Sequence, residues 1–195
     1  MQIYNFEQQT QEWHDIRRGK FTSSRFAPLM GKKTNKGYTD EIYRVVYERM
    51  TGEDVDTFTN KYIQNGIEQE PEARLWYELN QNVFVEQVGF VEHNDWIGSS
   101  PDGFVGDKGE IEIKCVKYNT QIDRLITGEF PTEYKWQVQG QLWICEREWC
   151  DFISYLPKMK PFIIRIERDD IAIKELEIRL EEVIEETQSI INKLR

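Results

Sequence analysis

Cysteine, histidine and long apolar runs are the scarce features of this 195-residue chain. Its three cysteines, Cys115, Cys145 and Cys150, are odd in number and scattered, so no disulfide framework is expected and a reducing compartment fits. Their spacing matches no standard zinc or iron–sulfur motif. His14 and His93 have no partner at ligand spacing and read as ordinary polar residues. No apolar run approaches the roughly 20 residues that a membrane span requires. The opening MQIYNFEQQTQEW has neither the basic nor the apolar region of a signal peptide. A cytoplasmic protein with no membrane partner is therefore expected. No repeat or low-complexity linker divides the chain, so residues 1–195 are expected to form a single domain.

Acid is missing from one window of an otherwise acidic chain. The net charge of −10 by itself opposes binding to phosphate. Distribution matters more than the total. Between Asp15 and Asp40 there is no Asp or Glu, and the window holds Arg17, Arg18, Lys20, Arg25, Lys32, Lys33 and Lys36, whereas Glu167 to Glu186 is dominated by acids. The asymmetry suggests one basic face for a polyanion on a self-repelling body.

The stretch GSSPDGFVGDKGEIEIKCV, Gly98 to Val116, is where chemistry concentrates. Ser100-Pro101-Asp102-Gly103 is turn chemistry that sets Asp102 at the mouth of a bend before a short strand at Phe104-Val105. Asp107-Lys108-Gly109 marks a second turn and hence a hairpin. From Glu110 to Val116 the residues alternate, with Ile111, Ile113 and Cys115 on one face and Glu110, Glu112 and Lys114 on the other. The hairpin can bring Asp102 beside Glu112 and Lys114. Carboxylates sharing a site repel unless a cation neutralises them, and hard oxygen ligands suit Mg²⁺ or Mn²⁺. Lys114 then suits a water-activating or phosphate-stabilising role. An aspartate followed by Glu-x-Lys on adjoining strands is the PD-(D/E)xK arrangement of metal-dependent nucleases.

Elsewhere, Thr10 can cap a helix over 11–18 that Gly19 stops, and Thr22-Ser23-Ser24 supplies N-cap residues beside arginines, a possible phosphate cradle. Gly31 to Gly37 reads as a polar loop, and a helix follows from Thr39 to about Met50 with Ile42, Val45, Val46 and Met50 on its apolar stripe. A longer helix is expected from Thr59 to about Leu79, with Ile63, Ile67, Ala73 and Tyr77 on one face and Glu70 beside them; Pro71 should kink or restart it. A strand is expected over 83–91. Asn119 to Phe130 reads as helix plus loop, and a helix capped by Thr132 carries Gln137 and Gln141 one turn apart. Two strands, 149–156 and 162–167, and a long helix from Asp169 onward complete the pattern. The fold class this implies is α/β, with a central mixed sheet flanked by helices.

Four phrases, in order, resemble the bacteriophage lambda exonuclease or YqaJ-type viral recombinase family: WHDIRRGKFTSS, the Gly66-x₃-Glu70-x₂-Ala73-Arg74 stretch, SPDG with IEIKC, and YKWQVQGQLWI. The resemblance implies a restriction-endonuclease-like core and a Mg²⁺-dependent (or Mn²⁺-dependent) 5′→3′ exodeoxyribonuclease acting on linear duplex DNA. In that reading Asp102, Glu112, Glu70 and the Ile113 carbonyl hold metal, and Lys114 handles the attacking water. Arg17 and Ser24 hold the 5′-phosphate, and Gln137 borders the terminal nucleotide. The family also implies a ring-shaped homotrimer and a single-strand annealing protein as partner. The alternatives are another PD-(D/E)xK nuclease, either an endonuclease or the CRISPR-adaptation exonuclease, whose four-cysteine iron–sulfur site and helical histidine fit three cysteines and Glu70 poorly, and, from a different class, a catalytically silent DNA-end-binding or interaction module or an acidic DNA mimic.

Overall fold

A computed structural model of the protein describes residues 1–55 and 61–195. Two four-stranded mixed sheets organise it, where patterning alone suggests one central sheet. The first runs β1 (Gln2–Tyr4), β3 (Phe90–Asn94), β4 (Ile97–Ser99), β2 (Phe21–Thr22), with β2 parallel to β4 and the other pairings antiparallel. The second runs β5 (Gly103–Val105), β6 (Gly109–Cys115), β7 (Trp149–Tyr155), β8 (Phe162–Glu167). Ser100, Pro101 and Asp102 are the whole junction between β4 of one sheet and β5 of the other. Asp102 therefore sits at a bend that both sheets hold in place.

The β5–β6 hairpin pairs Gly103 with Ile111 and Phe104 with Glu110. β6 then pairs in parallel with β7 along its whole length, Glu112 opposite Phe152 and Lys114 opposite Ser154. Parallel neighbours need a crossover. Here it is made by α5 (Tyr118–Thr127), a 3₁₀ turn at Thr132–Tyr134 and α6 (Lys135–Ile144). The alternation expected of β6 holds: Ile111 and Ile113 pack with Ala73, Tyr77 and Ile153, while Glu112 faces α6. Both faces are covered, so Glu110 and Glu112 are buried rather than lapped by water.

Helices cover the remaining surfaces. α1 (Gln11–Arg17) starts at Thr10, whose hydroxyl accepts from the Trp13 N–H, and the chain turns at Gly19 with φ +70°. A 3₁₀ turn (Ser23–Arg25) leads into α2 (Phe26–Leu29), a single turn with no side-chain cap. The hydroxyl-rich helix N-terminus expected there is thus not a long-helix dipole. α3 (Lys36–Thr51) begins inside the expected loop, and Met50 lies 41% exposed rather than on the buried stripe of Ile42, Val45 and Val46. α4 (Lys61–Gln81) passes continuously through Pro71, so no fresh helix starts there. Burial of Ala73 and Tyr77 just beyond holds that turn in place. The expected start at Thr59 lies outside the described residues, as do the side chains of Ile63 and Ile67. Instead of a strand over 83–91, only Glu86 bridges to Phe104, and the strand proper begins at Phe90. α7 (Asp170–Leu194) is capped by Asp169 and buries Ile173, Leu176, Leu180, Val183 and Ile191. Leu176, Leu180 and Val183 pack with Leu29, Tyr38 and Ile42 in one core, each fully buried side chain contributing about 1.5–3 kcal/mol.

Candidate nuclease active site

Asp102, Glu112 and Lys114 converge as the sequence pattern requires. The Ile113 N–H donates to Asp102 Oδ2 at 2.5 Å, which locks the junction aspartate to the middle of β6. Lys114 Nζ lies 2.5 Å from Glu112 Oε1. Burial, then the charges of Glu112 and Glu70, raise the Asp102 carboxyl well above the usual carboxylate range. Burial alone would lower the Lys114 ammonium; Glu112 and Asp102 outweigh it and leave Lys114 held in its charged form. Glu70 reaches the same cluster from α4. Burial is the main reason its carboxyl is raised, with Glu112 adding to the effect while Arg74 opposes it. Arg74 makes a short ion pair to Glu70 Oε1 and donates to the Asp102 carbonyl at 3.3 Å, so it ties α4 to the junction. A cavity of about 440 Å³ opens beside Asp102, Glu70 and Arg74, closed on its other side by residues 5–9.

α6 approaches Glu112 from the opposite side. Gln137 donates to Oε1 at 2.7 Å and Gln141 to Oε2 at 2.6 Å. Between them on the helix, Gln139 turns the other way and binds the Glu167 carbonyl and the Asp169 N–H, fixing the start of α7. Gly140 lets α6 lie directly on Phe26, because a Cβ there would stand 2.5 Å from that ring. Glu110, one step down the same face of β6, is fully buried with the Cys145 thiol against its carboxyl. Burial first, then the Glu112 charge, push its carboxyl far up, while the Cys145 thiol and Arg147 oppose them.

The basic window resolves differently from a basic face. Arg18 pairs with Asp15 and Asp54, Lys20 with Glu92, Arg25 with Glu41, and Lys33 with Glu182 and Glu186 of α7. Acids distant in sequence thus neutralise most of the cluster. Among the described residues Arg17, Lys32 and Lys36 of this window pair with no carboxylate; the two lysines are exposed, whereas Arg17 is half-buried. Its guanidinium stacks on the Trp13 ring at 4.0 Å and donates to the Ser100 hydroxyl at 2.8 Å. Trp13 Nε1 also donates to Ser100, at 2.9 Å. Burial, with Arg25 and Arg44 nearby, brings the Arg17 pKa down to about 9. A desolvated cation without its own anion is a site for one.

Of the residues singled out in the sequence, Asp102, Glu112, Lys114, Glu70, Ile113 and Gln137 come together. Arg17 lies two residues away through Ser100. Ser24 does not join it; its exposed hydroxyl is 3.5 Å from that of Thr22, while Ser23 turns inward to Ser99. Ser100, Trp13, Gln141 and Arg74 were not legible as site residues. Ser100 lies within the SPDG turn and Gln141 one turn past Gln137, but nothing local distinguishes either from a turn or surface residue.

The donor chemistry fits a hard divalent cation. Burial and the neighbouring Glu112 and Glu70 charges raise Asp102, carboxylate oxygens suit such an ion, and an ammonium already stands on a Glu112 oxygen. Among the described residues no three His, Cys, Asp or Glu side chains form a closed ligand group. Lys114 must leave Glu112 for the oxygens to serve a metal.

The fold and this constellation define a class, the PD-(D/E)xK-like core of phage exonucleases. Residues 12–148 match the model of the YqaJ-like viral recombinase domain, and the chain belongs to that family. An alkaline exonuclease, LHK-Exo from Laribacter hongkongensis, is 37% identical, with 95% of this chain and 96% of that one covered and a TM-score of 0.89. LHK-Exo has also been solved in complex with dAMP, with the same similarity. A phage-related exonuclease from Haemophilus somnus 129PT shares the fold at 17% identity and a TM-score of 0.70. An uncharacterized protein, R354 of Acanthamoeba polyphaga mimivirus, is 26% identical over 168 residues; the match covers 78% of this chain and 30% of that protein. The chain thus spans less than a third of that viral relative.

Proposed function

We propose that this protein is a Mg²⁺-dependent 5′→3′ exodeoxyribonuclease acting on linear duplex DNA that bears a 5′-phosphate, with Mn²⁺ as an alternative metal. One observation carries the reading. An arginine without a carboxylate partner is hydrogen-bonded to Ser100, two residues before Asp102, so an anion-seeking pocket adjoins the carboxylate cluster. The solved complex of LHK-Exo with dAMP supports a nucleotide-binding role for the family's site.

In this reading Asp102, Glu112, Glu70 and the Ile113 carbonyl hold the metal. The bound cation supplies charge neutralisation at the scissile phosphate and acidifies a coordinated water. Arg17 holds the terminal phosphate, with Ser100 and the Trp13 ring setting the direction of its guanidinium. Lys114 leaves Glu112 to hold the attacking water; a cation bound beside it would lower the pKa of the ammonium, and only then could the amine help deprotonate that water, while Gln137 borders the terminal nucleotide. Water adds at phosphorus, the P–O3′ bond breaks, and the 3′ oxygen leaves with a proton. The next nucleotide keeps a 5′-phosphate, so each turnover regenerates the group that Arg17 binds.

The family resemblance further supports a ring-shaped homotrimer around DNA and a single-strand annealing protein as partner, in the cytoplasm of a bacterial host. Among the described residues no helix is long and apolar enough to cross a membrane. The deciding experiment incubates end-labelled linear and covalently closed duplex DNA with Mg²⁺. Digestion of linear DNA alone supports the proposal, digestion of circles assigns an endonuclease, and digestion of neither assigns a silent end-binding module.

A further inference from the structure

Gln137 and Gln141 stand one turn apart on α6, so their side chains leave the helix on one face and reach one carboxylate. They are not equivalent. Gln137 keeps 8% of its surface, and the oxygen it holds, Glu112 Oε1, is the one that Lys114 also grips. Gln141 is completely buried and holds Oε2; its own Oε1 meets no donor. A buried acceptor without a donor is a net cost to the fold. The amide therefore destabilises its site except through the one N–H it gives to Glu112.

The terminal torsion of a glutamate is broad, so no rotamer well fixes the carboxylate plane. Hydrogen bonds must do so. When Lys114 departs, the Oε1 side loses one of its two donors, whereas the Oε2 donor is enclosed by protein and cannot exchange with substrate. We infer that Gln141 is a positioning residue, the fixed anchor of Glu112, while Gln137 and Lys114 share the oxygen that changes partners. The inference rests on the nuclease reading above. Partners that orient a metal ligand typically contribute about 10- to 100-fold to metal affinity.

The test is calorimetric titration of the full chain with Mn²⁺ in the absence of DNA. It compares wild type with Gln141→Met, which keeps the volume and loses the donor, and Gln141→His, which keeps an N–H. The expected result is Mn²⁺ affinity weakened about 10-fold or more in Gln141→Met and largely recovered in Gln141→His, with KM for linear duplex unchanged. Should the methionine variant not unfold cooperatively, Gln141→Asn replaces it; the shorter amide falls short of Oε2 and loses affinity likewise. A methionine or asparagine variant that binds Mn²⁺ as tightly as wild type, or a histidine variant as weak as methionine, overturns the inference while leaving the nuclease reading intact. A wild-type chain that binds no Mn²⁺ overturns both.

Discussion

The Arg17 guanidinium donates to the Ser100 hydroxyl at 2.8 Å across 83 residues of sequence, and Ser100 stands two residues before Asp102. A single three-residue junction therefore joins an anion pocket to a carboxylate cluster. Because that junction is pinned by β4 on one side and β5 on the other, the separation between the Arg17–Ser100 contact and Asp102 is built into the backbone.

Arg17→Ala is expected to slow digestion of 5′-phosphorylated ends while sparing 5′-hydroxyl ends. A charged hydrogen bond is worth about 1.5–3 kcal/mol, which corresponds to roughly a 10- to 100-fold change in rate. Parallel assays on the two kinds of end measure it. Equal loss on both would remove Arg17 from the pocket.

Asp102→Asn and Lys114→Ala are each expected to abolish Mg²⁺-dependent digestion with cooperative unfolding retained. Asparagine can still accept from the Ile113 N–H, and Glu112 keeps two amide donors when Lys114 is gone. Residual activity at more than about a hundredth of wild type in either variant contradicts the assigned roles; the comparison needs only rate and thermal melting.

Gly140→Ala places a Cβ 2.5 Å from the Phe26 ring. Overpacking of this kind costs about 1–3 kcal/mol, so the melting temperature should fall by several degrees. Activity should fall more than stability explains, because the displaced helix is the one that carries Gln137 and Gln141 to Glu112. A variant that loses stability alone would separate α6 packing from the site.

Glu110 supplies a pH prediction. Burial and the Glu112 charge raise its carboxyl, so the native protein keeps a proton that the unfolded chain releases. Stability from this group is complete below the unfolded value of about 4.3 and declines as pH rises toward the raised folded value. Glu110→Gln should make metal-free melting depend less steeply on pH above the unfolded value of about 4.3, by at most about 1.4 kcal/mol per unit. An unchanged slope would show that Glu110 is ionised in the fold.

The β6 alternation, the SPDG turn and the Glu-x-Lys spacing were legible because each depends on residues a few positions apart, where φ restrictions and the two-residue period of a strand act directly. They determined that Asp102, Glu112 and Lys114 share one face. Glu70 needed the register of a whole helix, and continuity through Pro71 ran against local propensity because burial of Ala73 and Tyr77 outweighs one lost helical hydrogen bond.

Tertiary structure alone decided the rest. The basic window looked like a DNA face, yet Asp54, Glu92, Glu182 and Glu186 arrive from distant segments to pair with it, leaving Arg17 as the desolvated cation without an acid. It gave that arginine Ser100 as a hydrogen-bond partner, with Ser24 apart from the contact, and it separated Gln141 from Gln137 by burial. Periodicity reports which side a residue faces, whereas charge neutralisation, burial and hydrogen-bond partners depend on what folds against that side.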